Sequence, residues 1–183
     1  MKFEEAWELV EPIPSFVQQP EAKALWDLAS KRQGQLAVDI GGARGRSAIL
    51  FALAGMNVIT VSNWNDPGEG TEAELRANLT RCGVEVEVVR GDSYDVGAAR
   101  TDLQIGLLFI DGGHDERIVR GDVNAWSGKV VNGGIMAFHD YGTTIWLGVN
   151  KVVDEIRKFC STEWVMVGQA IYMIAFVRRL QEV

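Results

Sequence analysis

The chain has 183 residues, of which 47% are hydrophobic and 23% charged, and this balance is typical of one globular domain with a sizeable core. Its formal net charge of −7 disfavours a nucleic-acid substrate, because an acidic surface repels phosphate backbones. No apolar run approaches the roughly 20 residues that cross a bilayer, and the acidic start Met1–Glu5 is unlike a signal peptide. We therefore expect a cytoplasmic protein that acts on neither membranes nor nucleic acids.

Residues 1–34 predict a helical region that caps or covers the rest of the chain. Its first helical segment is interrupted at Pro12, and a helical pattern resumes over residues 22–29. Basic residues followed by Gly34 are typical of a helix C-terminus. The sequence thus divides into an N-terminal helical region and a main domain over residues 35–183.

Short apolar strands alternate with helices from residue 35 onward. The predicted strands are 36–40, 58–61, 84–89, 105–110, 135–138, 164–167 and 171–177, and the predicted helices of this part are 47–54, 71–82, 115–126 and 145–159. Continuous apolar strands between helices indicate a parallel sheet covered on both faces. The last two strands are joined by only Gly168-Gln169-Ala170, a link short enough to predict an antiparallel hairpin. The predicted fold is a doubly wound α/β sheet that ends in this hairpin.

A glycine-rich loop, Asp39-Ile40-Gly41-Gly42-Ala43-Arg44-Gly45, follows the first predicted strand and opens a helix. Its glycines allow a tight turn and a close approach of a ligand to the N–H groups of the helix start. The spacing differs from the Gly-x-Gly-x-x-Gly fingerprint of dinucleotide-binding dehydrogenases. We interpret Asp39 as placed to orient a cationic ligand that carries an amino acid. The alternative is an ordinary β–α turn in which Asp39 is a local cap.

Both histidines of the chain follow predicted strand ends beside an aspartate, in Asp111-Gly112-Gly113-His114 and in His139-Asp140. Because neighbouring parallel strands end at one edge of a sheet, we expect these side chains to converge. Asp111 and Asp140 suit Mg²⁺, with His139 as a candidate third ligand, although imidazole suits Mn²⁺, Fe²⁺ or Zn²⁺ better. His114 is a candidate general base. The alternative is that the aspartates cap helices and the histidines line a polar cleft.

Two further segments contain candidate ligand contacts. Asp92 and Ser93 follow the third predicted strand and either contact an adenine or cap a short helix. Trp64 belongs to the polar loop 63–70, where it is placed to stack on a base. Asp122, inside a predicted helix, is interpreted as structural.

Three segments taken together resemble the class I S-adenosylmethionine-dependent methyltransferases: Val38–Ser47, Phe109–His114 and Gly133–Tyr141. The resemblance is to the small-molecule O-methyltransferase branch that includes cephalosporin-biosynthesis and macrolide-sugar enzymes, and it extends from about Gln35 to Val177. It implies a Rossmann-like, mostly parallel seven-stranded sheet with a reversed last strand. It also implies methyl transfer from S-adenosylmethionine to a small hydroxylated acceptor.

The motifs and the resemblance together give a set of candidate site residues. The cofactor-binding candidates are Asp39, Gly41, Gly42, Ala43, Gly45, Ser47, Ser62, Asn63, Trp64, Asp92, Ser93 and Asp111. In metal-dependent members of the branch, the positions of Asp111, His139 and Asp140 hold Mg²⁺, and a histidine at the position of His114 is the base.

Two positions depart from the family pattern. Ser62 stands where the second strand usually ends in an acid that binds the ribose hydroxyls, and Ser62, Asn63 or Asp66 is the candidate replacement. His139 stands in place of an expected acid in the metal pair. These departures leave open a non-catalytic relative that binds S-adenosylmethionine, whereas the glycine spacing and the hairpin argue against an NAD-type oxidoreductase. We expect the acceptor pocket to come from residues 1–34, from loops, or from the partner subunit of a homo-oligomer.

Overall fold

A computed structural model describes residues 1–65, 68 and 70–179 of the chain. The strands are β1 (Leu36–Ile40), β2 (Asn57–Ser62), β3 (Glu87–Arg90), β4 (Ile105–Ile110), β5 (Val130–Phe138), β6 (Trp164–Ala170) and β7 (Met173–Arg178). The helices are α1 (Phe3–Val10), α2 (Gln19–Ala29), α3 (Arg46–Leu53), α4 (Glu72–Cys82), α5 (Ser93–Ala99), α6 (Glu116–Trp126) and α7 (Leu147–Phe159). Short 3₁₀ turns follow α2 and α6.

The seven strands form one sheet in the order β3-β2-β1-β4-β5-β7-β6. Strands β1 to β5 are parallel to one another, whereas β7 runs antiparallel to both β5 and β6. The prediction of a doubly wound, mostly parallel α/β sheet with a C-terminal antiparallel hairpin is confirmed. The strand order reverses between β1 and β4, the place where ligands bind in open α/β sheets.

Helices cover both faces of the sheet and bury two apolar cores. One core joins α1, α2, α3 and α4 to one face, through side chains such as Trp7, Leu25 and Phe51. The other joins α6 and α7 to the opposite face, through Trp126 and Val153. Every residue of β4 is buried, as expected for a central strand covered on both sides. The N-terminal helices therefore pack into the same core as the strands.

The helix and strand boundaries mostly follow local chemistry. Thr71 accepts a hydrogen bond from the backbone N–H of Glu74 at 3.2 Å, which is the capping box expected at the start of α4. The third strand was predicted over residues 84–89 but is the shorter β3, which lies at an edge of the sheet and pairs with β2. No helix in the described ranges combines the length and apolar character needed to cross a bilayer.

The predicted position of the hairpin turn is wrong. Residues 168–170 belong to β6, and the turn consists of Ile171 and Tyr172, with Ile171 at φ +47°. The pairing of β6 with β7 shifts between Met166 and Gly168. A glycine inside a strand often marks such an irregularity rather than a turn, and this explains why Gly168 misplaced the prediction.

Candidate active site

The sheet register places the candidate polar residues side by side. Ile110 of β4 lies opposite Phe138 of β5, and the pairing continues one residue further because the His139 N–H donates to the carbonyl of Ile110 at 3.1 Å. Asp111 and His139 are therefore neighbours. Since successive strand residues alternate between faces, the side chains of Asp111 and His139 lie on the opposite face of the sheet from those of Ile110 and Phe138.

The glycine loop begins beside Asp111, and its glycines are required by close contacts. Gly41 has φ +94°, and a Cβ there would lie 2.0 Å from the carbonyl oxygen of Asp111. A Cβ on Gly42 would lie 2.3 Å from Oγ1 of Thr60. Gly45, which precedes α3, has φ +93°, a conformation that L side chains rarely adopt. The loop is thus packed against strands on both of its sides.

Asp39 lies beneath this loop and is fully buried. Its two carboxylate oxygens accept hydrogen bonds from the hydroxyl of Ser47 at 2.6 Å and of Thr60 at 2.7 Å. Burial raises the pKa of Asp39 to about 6, although the two hydroxyls counteract the rise. Asp39 and Ser47 therefore support the loop from inside the fold, and the structure gives neither of them an exposed position toward a ligand.

A cleft of about 570 Å³ opens at the C-terminal edge of the central strands. Five of the predicted cofactor-binding residues line it: Gly41, Ser62, Asn63, Asp92 and Ser93. Sequence reasoning had not assigned the other lining residues, which include Asn65, Gly91, Gly112, Gly113 and Ile118. The cleft thus joins the glycine loop to the ends of β2, β3 and β4.

The two open interpretations of Asp92 are compatible. Asp92 accepts a hydrogen bond from the backbone N–H of Tyr94 at 3.0 Å and so caps α5, and it also lines the cleft. Trp64 contacts the glycine loop. Its indole N–H donates to the carbonyl of Ala43 at 2.9 Å, and among the described residues it is not part of the cleft lining. Asp66, one candidate partner for the ribose, lies outside the described residues.

Asp111, His139 and Asp140 form a compact cluster in which one donor atom from each lies within 4.8 Å of the others. Nδ1 of His139 is 3.2 Å from Oδ1 of Asp111 and 3.2 Å from Oδ2 of Asp140. It is buried and has no hydrogen-bond partner among the described residues. Asp140 has φ +61°, an uncommon conformation that occurs at functional sites.

These residues fit a divalent cation. Ligand atoms about 2.1 Å from one ion and at right angles to each other lie roughly 3 Å apart, close to the separations measured from Nδ1. A cavity of about 10 Å³ is lined by Asp111, His114, His139 and Asp140 together with apolar side chains, and this volume is enough for about one water-sized particle.

Charges in the cluster are strongly coupled. Burial alone would lower the pKa of His139, but the carboxylate of Asp111, together with those of Asp140 and Glu21, outweighs burial and raises the pKa to about 12. Burial likewise opposes ionisation of Asp140, yet its contacts with His114 and His139 hold its pKa well below the usual range. The pKa of Asp111 is raised, mainly by burial. The carboxylates of Asp111, Asp140 and Glu21 therefore favour a positive charge within the cluster, either a proton on His139 or a bound cation.

His114 contacts the same cluster from the loop after β4. Its Nε2 lies 2.9 Å from Oδ2 of Asp140, and its ring stacks on Trp146 with centroids 4.0 Å apart. Trp146 is flanked by Ile145 and Leu147, which are 73% and 66% exposed. An apolar surface thus adjoins the histidine–carboxylate pair.

One acidic residue near the site, Glu21, was missed by sequence reasoning, and a second, Asp122, contacts a residue of the cleft. Glu21 of α2 is fully buried, and its Oε2 lies 3.2 Å from Nε2 of His139. Its position one turn before Leu25, on the apolar face of the helix, could have indicated that its side chain is buried. Asp122 was interpreted as structural. It accepts a hydrogen bond from the hydroxyl of Ser93, which lines the cleft, and burial raises its pKa to about 6.

Solved structures with similar folds include several methyltransferases. The O-methyltransferase NovP matches with a TM-score of 0.74 and 15% identity, over 91% of this chain and 82% of that chain. TomG from Streptomyces achromogenes, an O-methyltransferase in complex with S-adenosylmethionine, matches with a TM-score of 0.70 and 17% identity, over 96% of this chain and 89% of that chain. An rRNA methylase from Streptococcus thermophilus matches with a TM-score of 0.71 and 11% identity, over 91% of this chain and 100% of that chain. Likeness at these identities shows a shared fold.

The family assignment rests on the sequence itself. A profile of the methyltransferase domain matches residues 38–141, which is more than half of the 183 residues. The matched segment begins just before the glycine loop and ends just after Asp140, so it contains the cleft and the Asp111–His139–Asp140 cluster. The chain therefore belongs to the methyltransferase-domain family and has the class I S-adenosylmethionine-dependent methyltransferase fold.

Proposed function

We propose that this protein transfers the methyl group of S-adenosylmethionine to a hydroxyl oxygen of a small molecule, assisted by a divalent metal. One observation carries the proposal: Gly112 and Gly113 line both the cleft that contains the glycine loop and the small cavity beside His114, His139 and Asp140. A cofactor in the cleft would therefore adjoin the acid–histidine cluster.

The cofactor is assigned to the cleft on chemical grounds. The loop places Gly41 at the cleft, and the cleft continues past Ser62 and Asn63 to Asp92 and Ser93. We assign the ribose to the Ser62–Asn63 side, where hydroxyl and amide groups replace the usual acid and bind less strongly than a carboxylate. We assign the adenine to the Asp92–Ser93 side.

The chemical step requires little beyond positioning and proton removal. The acceptor oxygen attacks the methyl carbon, the carbon–sulfur bond breaks, and its electron pair neutralises the sulfonium to give S-adenosylhomocysteine. His114 takes the hydroxyl proton, while Asp140 orients the imidazole and stabilises its protonated form. A divalent metal held by Asp111, His139 and Asp140 would lower the pKa of the acceptor hydroxyl.

We infer the class of acceptor from the net charge of the chain and from the exposed side chains beside Trp146, because the fold alone does not determine it. The fold neighbours include two O-methyltransferases and an rRNA methylase, so the fold is compatible with both small and macromolecular acceptors. A net charge of −7 disfavours RNA. The exposed side chains of Ile145 and Leu147, on either side of Trp146, favour a partly apolar hydroxylated molecule. We retain a cytoplasmic location and self-association as expectations.

A transfer assay tests this function. The protein is incubated with methyl-labelled S-adenosylmethionine, a divalent metal and a panel of phenols, sugars, amines and RNA. We expect label in phenols or sugars and formation of S-adenosylhomocysteine. Label in amines or RNA alone would contradict O-methylation of a small molecule. Cofactor binding without transfer to any acceptor class would instead identify a non-catalytic relative.

A further inference from the structure

Glu21, which lies outside the segment matched by the methyltransferase profile, contacts the candidate metal ligand His139. Oε2 of Glu21 is 3.2 Å from Nε2 of His139 and accepts a hydrogen bond from the Gln18 N–H at 2.8 Å. Oε1 accepts from the Tyr172 N–H at 3.0 Å. A buried carboxylate is unfavourable unless its oxygens are bonded and its charge is compensated. These contacts fix Glu21 in one position against one nitrogen of His139.

The other ring nitrogen of His139 points to a different environment. Nδ1 lies 3.2 Å from carboxylate oxygens of both Asp111 and Asp140, yet neither contact has hydrogen-bond geometry, so this atom lacks a hydrogen-bond partner within the described part of the chain. The side chain is only 3% exposed. A buried nitrogen that lies close to two carboxylates without a hydrogen bond has the position expected of a metal ligand.

A histidine that binds a metal nearly always donates its other N–H to a carboxylate, carbonyl or water, which fixes the tautomer and raises the basicity of the ligating nitrogen. Glu21 and His139 have this arrangement. We propose that Glu21 holds His139 as a nitrogen ligand and thereby makes the Asp111–His139–Asp140 site selective for a divalent transition ion over Mg²⁺. The inference rests on the metal-assisted function proposed above.

The selectivity follows from ligand chemistry. Mg²⁺ prefers oxygen ligands and retains several waters, so one imidazole among its ligands is unfavourable. Imidazole suits Mn²⁺, Fe²⁺, Co²⁺ and Zn²⁺, whose affinities for nitrogen sites exceed that of Mg²⁺. Two carboxylates with one imidazole are therefore better matched to these ions than to Mg²⁺.

A rival arrangement uses the same residues. A proton on Nδ1 would place an imidazolium among Asp111, Asp140 and Glu21, and this permanent cation would stand in the place of a metal. The rival predicts that no divalent ion binds at this cluster, and metal-binding measurements distinguish the two directly.

The first test uses the full, metal-stripped wild-type protein. Calorimetric titrations with MnCl₂ and MgCl₂ measure the two affinities, and pulsed electron paramagnetic resonance of the Mn²⁺-loaded protein detects nitrogen bound to the ion. We expect one Mn²⁺ site at least about tenfold tighter than Mg²⁺, with nitrogen coupling. Equal affinities, a Mn²⁺ site without nitrogen coupling, or no binding of either ion would each overturn the proposal.

Variants assign the signal to this histidine and its partner. His139→Gln should abolish the nitrogen coupling, whereas His114→Gln should retain it. Glu21→Gln should weaken Mn²⁺ binding by about 10- to 100-fold and Mg²⁺ binding less, while the same change at the exposed Glu8 should alter neither. Unchanged Mn²⁺ affinity in a folded Glu21→Gln protein, checked by circular dichroism, would overturn the role of Glu21.

Binding of S-adenosylmethionine is measured on the same samples. A protein that binds the cofactor but shows no preference for Mn²⁺ contradicts only the metal inference. A protein that binds Mn²⁺ through nitrogen but does not bind the cofactor contradicts the proposed function instead.

Discussion

Oε2 of Glu21 lies 3.2 Å from Nε2 of His139, although the two residues are 118 positions apart in the chain. The contact connects α2 to the end of β5, so the N-terminal helices help to build the candidate active site as well as covering the sheet. Tyr172, at the turn of the terminal hairpin, is bonded to the same carboxylate. Three distant parts of the chain thus meet at Glu21.

Removing this carboxylate should destabilise the fold. In Glu21→Ala the backbone N–H groups of Gln18 and Tyr172 lose their acceptor, and His139 loses a charge partner. We expect the free energy of unfolding to fall by about 3–5 kcal/mol, as when one partner of a buried ion pair is removed. Urea denaturation measures the change, with Glu8→Ala as a surface control expected within about 0.5 kcal/mol. A loss below about 1 kcal/mol at Glu21 would mean that the buried contact is dispensable.

The glycine loop provides a steric prediction. In Gly41→Ala the new Cβ would overlap the carbonyl oxygen of Asp111, whereas a Cβ added at Gly34, also at positive φ, would meet nothing within 4 Å. Gly34→Ala should cost about 1 kcal/mol of stability from backbone strain alone. Gly41→Ala should cost more and should weaken S-adenosylmethionine binding at least about tenfold, measured by urea denaturation and calorimetry. Equal effects of the two substitutions would show that the close approach to Asp111 is unimportant.

Asp39 should make stability depend on pH. Its pKa is about 6 in the folded protein, above the reference value of 3.8, so between these values the folded state holds a proton that the unfolded chain releases. The free energy of unfolding therefore falls as the pH rises from about 4 to about 6, by up to about 3 kcal/mol from this group, and levels off above. Denaturation of the wild type and of Asp39→Asn across this range isolates the contribution. Identical pH profiles would contradict it.

His114 should affect turnover and leave cofactor binding nearly unchanged. His114→Gln removes the proposed base while keeping a polar side chain beside Asp140 and Trp146. We expect turnover to fall about 100-fold or more, with the dissociation constant of S-adenosylmethionine within about threefold of the wild-type value. Initial rates with the best acceptor and calorimetry provide both numbers. Near-normal turnover would assign the proton transfer to another group.

Local patterns predicted the parts of the structure that local chemistry determines. The strand Ile105–Ile110 was placed at its observed limits because its five apolar residues and one glycine form a continuous run bounded by polar residues. The start of α4 followed from the Thr71–Glu74 capping box. The hairpin turn at Ile171 was missed because irregular pairing at Gly168, which depends on the partner strand, has no clear signature in one strand alone.

Long-range contacts set the limits of prediction at the site. The sequence indicated Asp111, His114, His139 and Asp140 because all of them follow strand ends. It could not show that Asp39 lies beneath the loop, since that depends on Ser47 and Thr60. Glu21 was missed because its partner is supplied by a strand far along the chain, and an acid on an apolar helix face does not reveal which charge it meets.

The most direct test of the account is the binding of S-adenosylmethionine to the purified protein. Calorimetric titration of the wild type with S-adenosylmethionine, S-adenosylhomocysteine and NAD⁺ compares the proposed cofactor with that of the rival oxidoreductase class. We predict one site for each of the first two ligands and no heat of binding for NAD⁺. We also predict loss of binding in Gly112→Val, because a Cβ on Gly112 would lie 3.2 Å from Cγ2 of Ile40, another residue that lines the cleft. A folded protein that binds NAD⁺, or that binds neither S-adenosylmethionine nor S-adenosylhomocysteine, would contradict the account.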